Sequence, residues 1–143
     1  TLAISRSVTG VTNKALLGYA ETHGYEVDYI PMAESSAFTI ERNGFHVVLS
    51  NRLTGQREKE IMAHELGHCA YGGTYNLYTP YETKARVEYR ADKWALYRLV
   101  PPGELRVALK DEDSSLWSLA EQFDVSCKFM KNTLDYYKLI GII

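Results

Sequence analysis

The segment Ile61 to Gly72, I-M-A-H-E-L-G-H-C-A-Y-G, restricts this chain more than any other stretch. Residues four apart on an α-helix lie one above the other, so His64 and His68 project from one face. Glu65 stands about 100° round from His64. Two imidazoles one turn apart can reach a single metal ion. A carboxylate at that angle can hold a water beside the ion without ligating it. The remaining positions are apolar nearly all round the wheel. Met62, Leu66 and Cys69 fall on the far side, and Ala63, Gly67 and Ala70 form a second row of very small side chains. That pattern predicts a buried helix, with His64, Glu65 and His68 as its one polar face. Buried histidines and a buried carboxylate need partners. The alternative to a metal site is a pair of satisfied core histidines beside a structural carboxylate.

The chain has 143 residues, which suits one compact domain with a real core. A net charge of −2 and a pI near 6.1 supply no basic field for nucleic acid. No apolar run reaches the length of a membrane span, and no signal-peptide pattern opens the sequence. Cys69 and Cys127 lie far apart and match neither a zinc knuckle nor a disulfide framework, so a reducing, cytoplasmic setting is expected. Cys69 points away from the histidines and reads as a small core residue.

Before the metal-type helix, Val11 to Thr22 reads as a packing helix closed by Gly24, and Tyr25 to Ile30 as a short strand ended by Pro31. His23 reads as a solvated residue. Ala37 to Ser50 reads as a hairpin about Asn43-Gly44, the dipeptide of a type I′ turn. Pairing outward from that turn sets Arg42 opposite Phe45, Ile40 opposite Val47 and Phe38 opposite Leu49. Phe38, Ile40, Phe45, Val47 and Leu49 then share the face turned to the helices. Glu41 falls opposite His46 as a surface pair. The metal-type helix begins near Thr54 to Gln56.

After Gly72-Gly73 a tyrosine-rich loop, Thr74 to Tyr81, reads equally as a cleft wall or as packing. Thr79-Pro80-Tyr81-Glu82 then has the form of a capping box with Pro80 at the first helical position. The helix it opens runs to Val100 and stops at Pro101-Pro102. Ala85, Glu88, Ala91, Asp92, Ala95, Leu96 and Leu99 share one stripe of it, flat enough to meet Ala63, Gly67 and Ala70.

Glu88 and Asp92 on that stripe need a reason. A catalytic zinc takes three protein ligands and keeps one position open, and His2Glu is a known set. Two antiparallel neighbouring helices can bring Glu88 to His64 and His68. Asp92, one turn on, can accept the second ring N–H of a ligating histidine. The bland alternative leaves Glu88 as a solvated carboxylate in the charged run Arg86 to Arg90.

The pair of motifs, H-E-L-G-H at 64–68 and E-Y-R-A-D-K-W-A-L-Y-R-L-V-P at 88–101, resembles the gluzincin-like ImmA/IrrE family of metallo-endopeptidases. Its members show H-E-x-G-H followed by E-x-x-A-N/D-x-x-A-x-x-L-L-x-P. The resemblance covers about Gly44 to Pro101 and continues weakly into Leu119 to Ser126. It implies an α+β, zincin-like fold, with a small antiparallel sheet packed on the zinc helix and a helical segment at the C-terminus. It also implies Zn2+ held by His64, His68 and Glu88, with Glu65 as general base and Asp92 behind a ligand. Val100 stands where the family usually has methionine, and Arg90 where an acid is frequent. The implied activity is hydrolysis of a peptide bond in a specific partner protein, a helix–turn–helix transcriptional repressor of a phage, mobile element or stress response. Tyr75, Tyr78 and Arg90 are unranked candidates for stabilising the oxyanion. The strand Phe45 to Leu49 is a candidate edge for an extended substrate.

Residues 1–101 are thus expected as the catalytic core and 102–143 as a helical subdomain of a single domain. Within the latter, Pro102 to Lys110 reads as a short helix. Ser114 to Gln122 and Ser126 to Leu139, broken at Phe123-Asp124-Val125, read as a helix–turn–helix-like pair capped by Ser114 and Ser126, with Gly141 as a stop. A DNA-binding reading places Lys128 and Lys131 on a recognition helix. Asp111, Glu112, Asp113, Glu121, Asp124 and Asp135 make the region acidic and favour helical cover or protein docking. Neither nucleic acid nor membrane is an expected partner. Peptide deformylase, which shares H-E-x-x-H, is set aside because no cysteine precedes His64. A non-catalytic metal-binding regulatory domain remains the alternative, although a structural site has no need of Glu65.

Overall fold

The computed structural model describes residues 10–33, 36–71 and 73–143. The elements run α1 (Asn13–Thr22), β1 (Glu26–Ile30), β2 (Ala37–Glu41), β3 (Phe45–Ser50), α2 (Gly55–Ala70), α3 (Tyr81–Leu99), α4 (Pro102–Ala108), α5 (Leu116–Phe123) and α6 (Cys127–Leu139). The fold is α+β. It divides into two compact units, residues 12–95 and residues 96–143 with Gly10 and Val11. The division falls inside α3 rather than at Pro101-Pro102. Leu96, Leu99 and Val100 are buried, and the Tyr137 hydroxyl donates to the Val100 carbonyl at 2.7 Å, which ties the last turn of α3 to α6.

In the first unit the sheet order is β1-β3-β2, with β1 parallel and β2 antiparallel to β3. The sheet is therefore mixed, not antiparallel. Only the β2–β3 pair is a hairpin; β1 joins the far side of β3. Paired on both sides, β3 has no edge to offer a substrate; among the described residues the outer strands β1 and β2 form the two edges of the sheet.

The hairpin register differs by one residue from the expected one. The partners are Glu41 with Phe45, Thr39 with Val47 and Ala37 with Leu49. Arg42 joins Asn43 (φ 54°) and Gly44 (φ 110°) in a three-residue loop, and the Arg42 amide donates to the Gly44 carbonyl at 2.8 Å. A side-chain period of two turns this slip into an exchange of faces. Thr39 shares the side of the buried Val47 and Leu49, while Phe38 and Ile40 are 41% and 45% exposed on the other. His46 faces Ile40, and its ion pair, at 2.9 Å, is with Glu26 of β1 rather than Glu41.

Helix α2 starts after its cap residue Thr54, and Met62, Ala63, Leu66 and Gly67 are buried along it. The backbones of α2 and α3 meet directly. A Cβ on Gly67 would stand 2.7 Å from the Ala91 carbonyl oxygen and 2.9 Å from the Ala91 Cα. Ala91 and Ala95 are buried on α3, but Ala85, expected on the same stripe, is exposed. The α3 start also differs. The Lys84 amide closes the first turn onto the Pro80 carbonyl, so Pro80 is the cap, and the Thr79 hydroxyl accepts from the Asn76 amide at 3.1 Å within the preceding turn.

In the second unit, Ser115 rather than Ser114 caps α5, exchanging bonds with Ser118. Asp124, left-handed at φ 53°, ends α5, and Ser126 caps α6. Phe123, Val125, Met130 and Tyr137 form its core. Among the described residues no helix is long and apolar enough to cross a membrane.

Two glycine substitutions separate helix propensity from packing. Gly18, inside α1, has nothing within 4 Å of an added Cβ. Gly18→Ala is expected to raise stability by about 0.5–1 kcal/mol through backbone entropy. Gly67→Ala should lower it by about 1–3 kcal/mol because α3 must shift to admit the methyl group. Urea midpoints followed by helical circular dichroism should move in opposite directions.

Candidate metal centre

Helix α2 presents His64, Glu65 and His68, and α3 presents Glu88 and Asp92 one turn apart. The loop between them adds the Gly73 carbonyl and Tyr75. All lie in the unit 12–95. His68 is largely buried, and its Nδ1 donates to the Gly73 oxygen at 2.6 Å. A carbonyl oxygen only accepts, so Nδ1 carries the proton and the Nε2 lone pair is left for another partner. The Nδ1 of His64 meets Asp92 Oδ1 at 2.7 Å and orients that ring in the same way. The two inner nitrogens converge on one carboxylate: His64 Nε2 is 2.7 Å from Glu88 Oε2, and His68 Nε2 is 3.3 Å from Glu88 Oε1.

The electrostatics favour a cation at this point. Burial works against charge on His64, but Asp92, Glu88 and Glu65 outweigh it and hold the pKa of the ring up at about 9. Burial also raises the Glu65 carboxyl above its ordinary range, against the pull of His68, His64 and the Thr39 hydroxyl. Among the described residues, His64, Glu65 and His68 offer ligand atoms within 4.8 Å of one another, a group that could hold an ion. Glu88 is the carboxylate that touches both ring nitrogens. Glu65 instead accepts from Thr39 Oγ1 at 3.0 Å. Two imidazoles held from behind at Nδ1, with a carboxylate beside their Nε2 atoms, make the kind of donor set that zinc takes in place of ring protons, so these residues fit the ion. A cleft of about 200 Å³ opens here, with Ala37, Phe38 and Thr39 of β2 along one side and Thr74 and Tyr75 along another.

The sequence model of the M78 peptidases, described as the IrrE N-terminal-like domain, matches residues 20–135. The chain belongs to this family. A comparison with curated proteins found no match. M78 peptidases are metallopeptidases, in keeping with the donor group found here.

Of the candidate oxyanion donors, Tyr75 lines the cleft, whereas Tyr78 is 93% exposed and Arg90 is exposed on α3. The Tyr75 hydroxyl donates to Glu88 Oε1 at 2.7 Å, and chiefly that bond pushes its pKa up to about 12. Cys69 is buried, and burial lifts its thiol to about 12, so it is inert packing. Two participants had no counterpart in the sequence reading. Thr39 was hidden by the hairpin register, and the Gly73 carbonyl is a backbone group that no side-chain motif announces.

Zinc titrations test this assembly. Glu88→Ala should bind clearly more weakly than wild type, and Asp92→Ala about 10- to 100-fold more weakly, the usual cost of losing a partner behind a ligand. Unchanged affinity in either variant would remove that residue from the centre.

Proposed function

We propose that the chain is a zinc-dependent endopeptidase in which His64, His68 and Glu88 hold the metal and Glu65 is the general base. The observation that carries this is the convergence of two oriented Nε2 atoms on Glu88, beside a buried Glu65 held outside that trio. A bound zinc supplies a Lewis acid and lowers the pKa of a coordinated water to about 7. Glu65 takes the proton from the attacking water and returns it to the leaving amine. Asp92 and the Gly73 carbonyl keep the two rings in the ligating tautomer. Tyr75, which lines the cleft, is the donor we assign to charge developing on the substrate carbonyl, its hydroxyl turning away from Glu88 Oε1 to do so. The free edge of β2 offers main-chain groups to an extended peptide.

The expected substrate is one partner protein, a helix–turn–helix repressor of a phage, mobile element or stress response, met in the cytoplasm. A cleft of about 200 Å³ grips few side chains, so selectivity has to come from surfaces beyond it. The acidic residues Asp111, Glu112 and Asp113 suit a basic, DNA-binding partner. Direct DNA binding by α6 is disfavoured, since Lys131, one of its two basic candidates, is paired with Asp135 at 2.8 Å.

Glu65→Gln should keep the fold and the zinc and abolish hydrolysis, because it removes the base and no ligand. Co-expression with a repressor encoded beside this chain should yield a single fragment that disappears with Glu65→Gln. An intact repressor together with rapid digestion of casein overturns the partner-specific reading, and near-normal turnover by Glu65→Gln overturns the mechanism.

A further inference from the structure

Thr39 lies in β2 on the face it shares with Val47 and Leu49. Its Oγ1 is 3.0 Å from Glu65 Oε2 and 3.2 Å from the Glu65 main-chain oxygen. Glu65 is 6% exposed and meets open space only at the cleft, so a protein partner on its other side can fix how its carboxylate is turned. Helix α2 fixes the Glu65 Cα but leaves three side-chain torsions free. A partner on another element has to settle where the two oxygens stand.

We infer that Thr39 is a positioning residue for Glu65, its hydroxyl holding Oε2 so that Oε1 is the oxygen presented to the attacking water. This rests on the reading of Glu65 as general base. The hydroxyl serves both states that the base passes through. While Glu65 is charged, Oγ1–H donates to Oε2. When Oε1 has taken the proton of the water, the charge is gone and the Thr39 hydrogen can turn to the Glu65 carbonyl, 3.2 Å away. It returns when Oε1 gives its proton to the leaving amine. No proton is gained or lost by Thr39 over the cycle. Serine can do the same; valine, of the same shape and equally suited to a strand, cannot.

The test uses the full chain loaded with zinc and titrated calorimetrically with acetohydroxamic acid, a metal chelator whose bound form hydrogen-bonds to a neighbouring general base. Wild type should bind and Glu65→Gln should bind more weakly. Thr39→Val should lose on the order of tenfold in hydroxamate affinity, with zinc content and thermal midpoint kept, and Thr39→Ser should restore it. Weakening in Glu65→Gln but not in Thr39→Val overturns the role of Thr39 and leaves Glu65 in place. Equal weakening in Thr39→Val and Thr39→Ser also overturns it, because the hydroxyl is then not what matters. Loss of zinc or of folding in both Thr39→Val and Thr39→Ala overturns it too, since Thr39 would be holding the fold. Equal binding by wild type and Glu65→Gln, or none by wild type, removes the reading of the base itself.

Discussion

The contact between Gly67 and Ala91 sets the distance on which the centre depends. Gly67 precedes His68 on α2, and Ala91 precedes Asp92 on α3, one turn after Glu88. The two backbones touch between the donor groups that they carry. Any side chain at position 67 would push the helices apart, and the displacement would appear almost undiminished between the histidines and the two acids of α3. The spacings there are 2.7 to 3.3 Å, already at hydrogen-bond length. Helix propensity would favour alanine at Gly67 by about 1 kcal/mol. Steric exclusion outweighs it.

The charges pull in a different direction from stability. His64 has Asp92, Glu88 and Glu65 around it, and Glu65 is buried among them. A folded chain gains little from placing several carboxylates together unless something positive joins them. Asp92 is 61% exposed, so as an ion pair it is worth at most about 1 kcal/mol. Its value lies in direction: it turns the His64 ring so that Nε2 faces Glu88. The Gly73 carbonyl does the same for His68 without any charge.

The helical parts of this arrangement were legible in the sequence because their signal is local. The i, i+4 pair His64 and His68, the small row at Ala63 and Gly67, and the acids Glu88 and Asp92 all follow from one period of 3.6 residues. The sheet was less legible. Asn43-Gly44 announces a turn, yet it does not say whether two or three residues form the loop, and that one residue decides which side chains of β2 face α2. The pairing of β1 with β3 joins segments separated by β2, so no neighbouring residues record that it is parallel. Helix ends slipped by a single position for a similar reason: Ser114 and Ser115 are both able caps, and Thr79 had a competing partner in Asn76.

The loop Arg42 to Gly44 acts as a phase marker for everything upstream of it. Surface turns ordinarily absorb insertions and deletions at small cost. Here a loop shorter by one residue would keep the hairpin and its ladder but present Phe38 and Ile40 to α2 and send Thr39 outward. The length of an exposed turn thus decides whether Glu65 faces a hydroxyl or a hydrocarbon. Among sequences built on this plan, a turn that changes by one residue needs a matching change of one residue in β2.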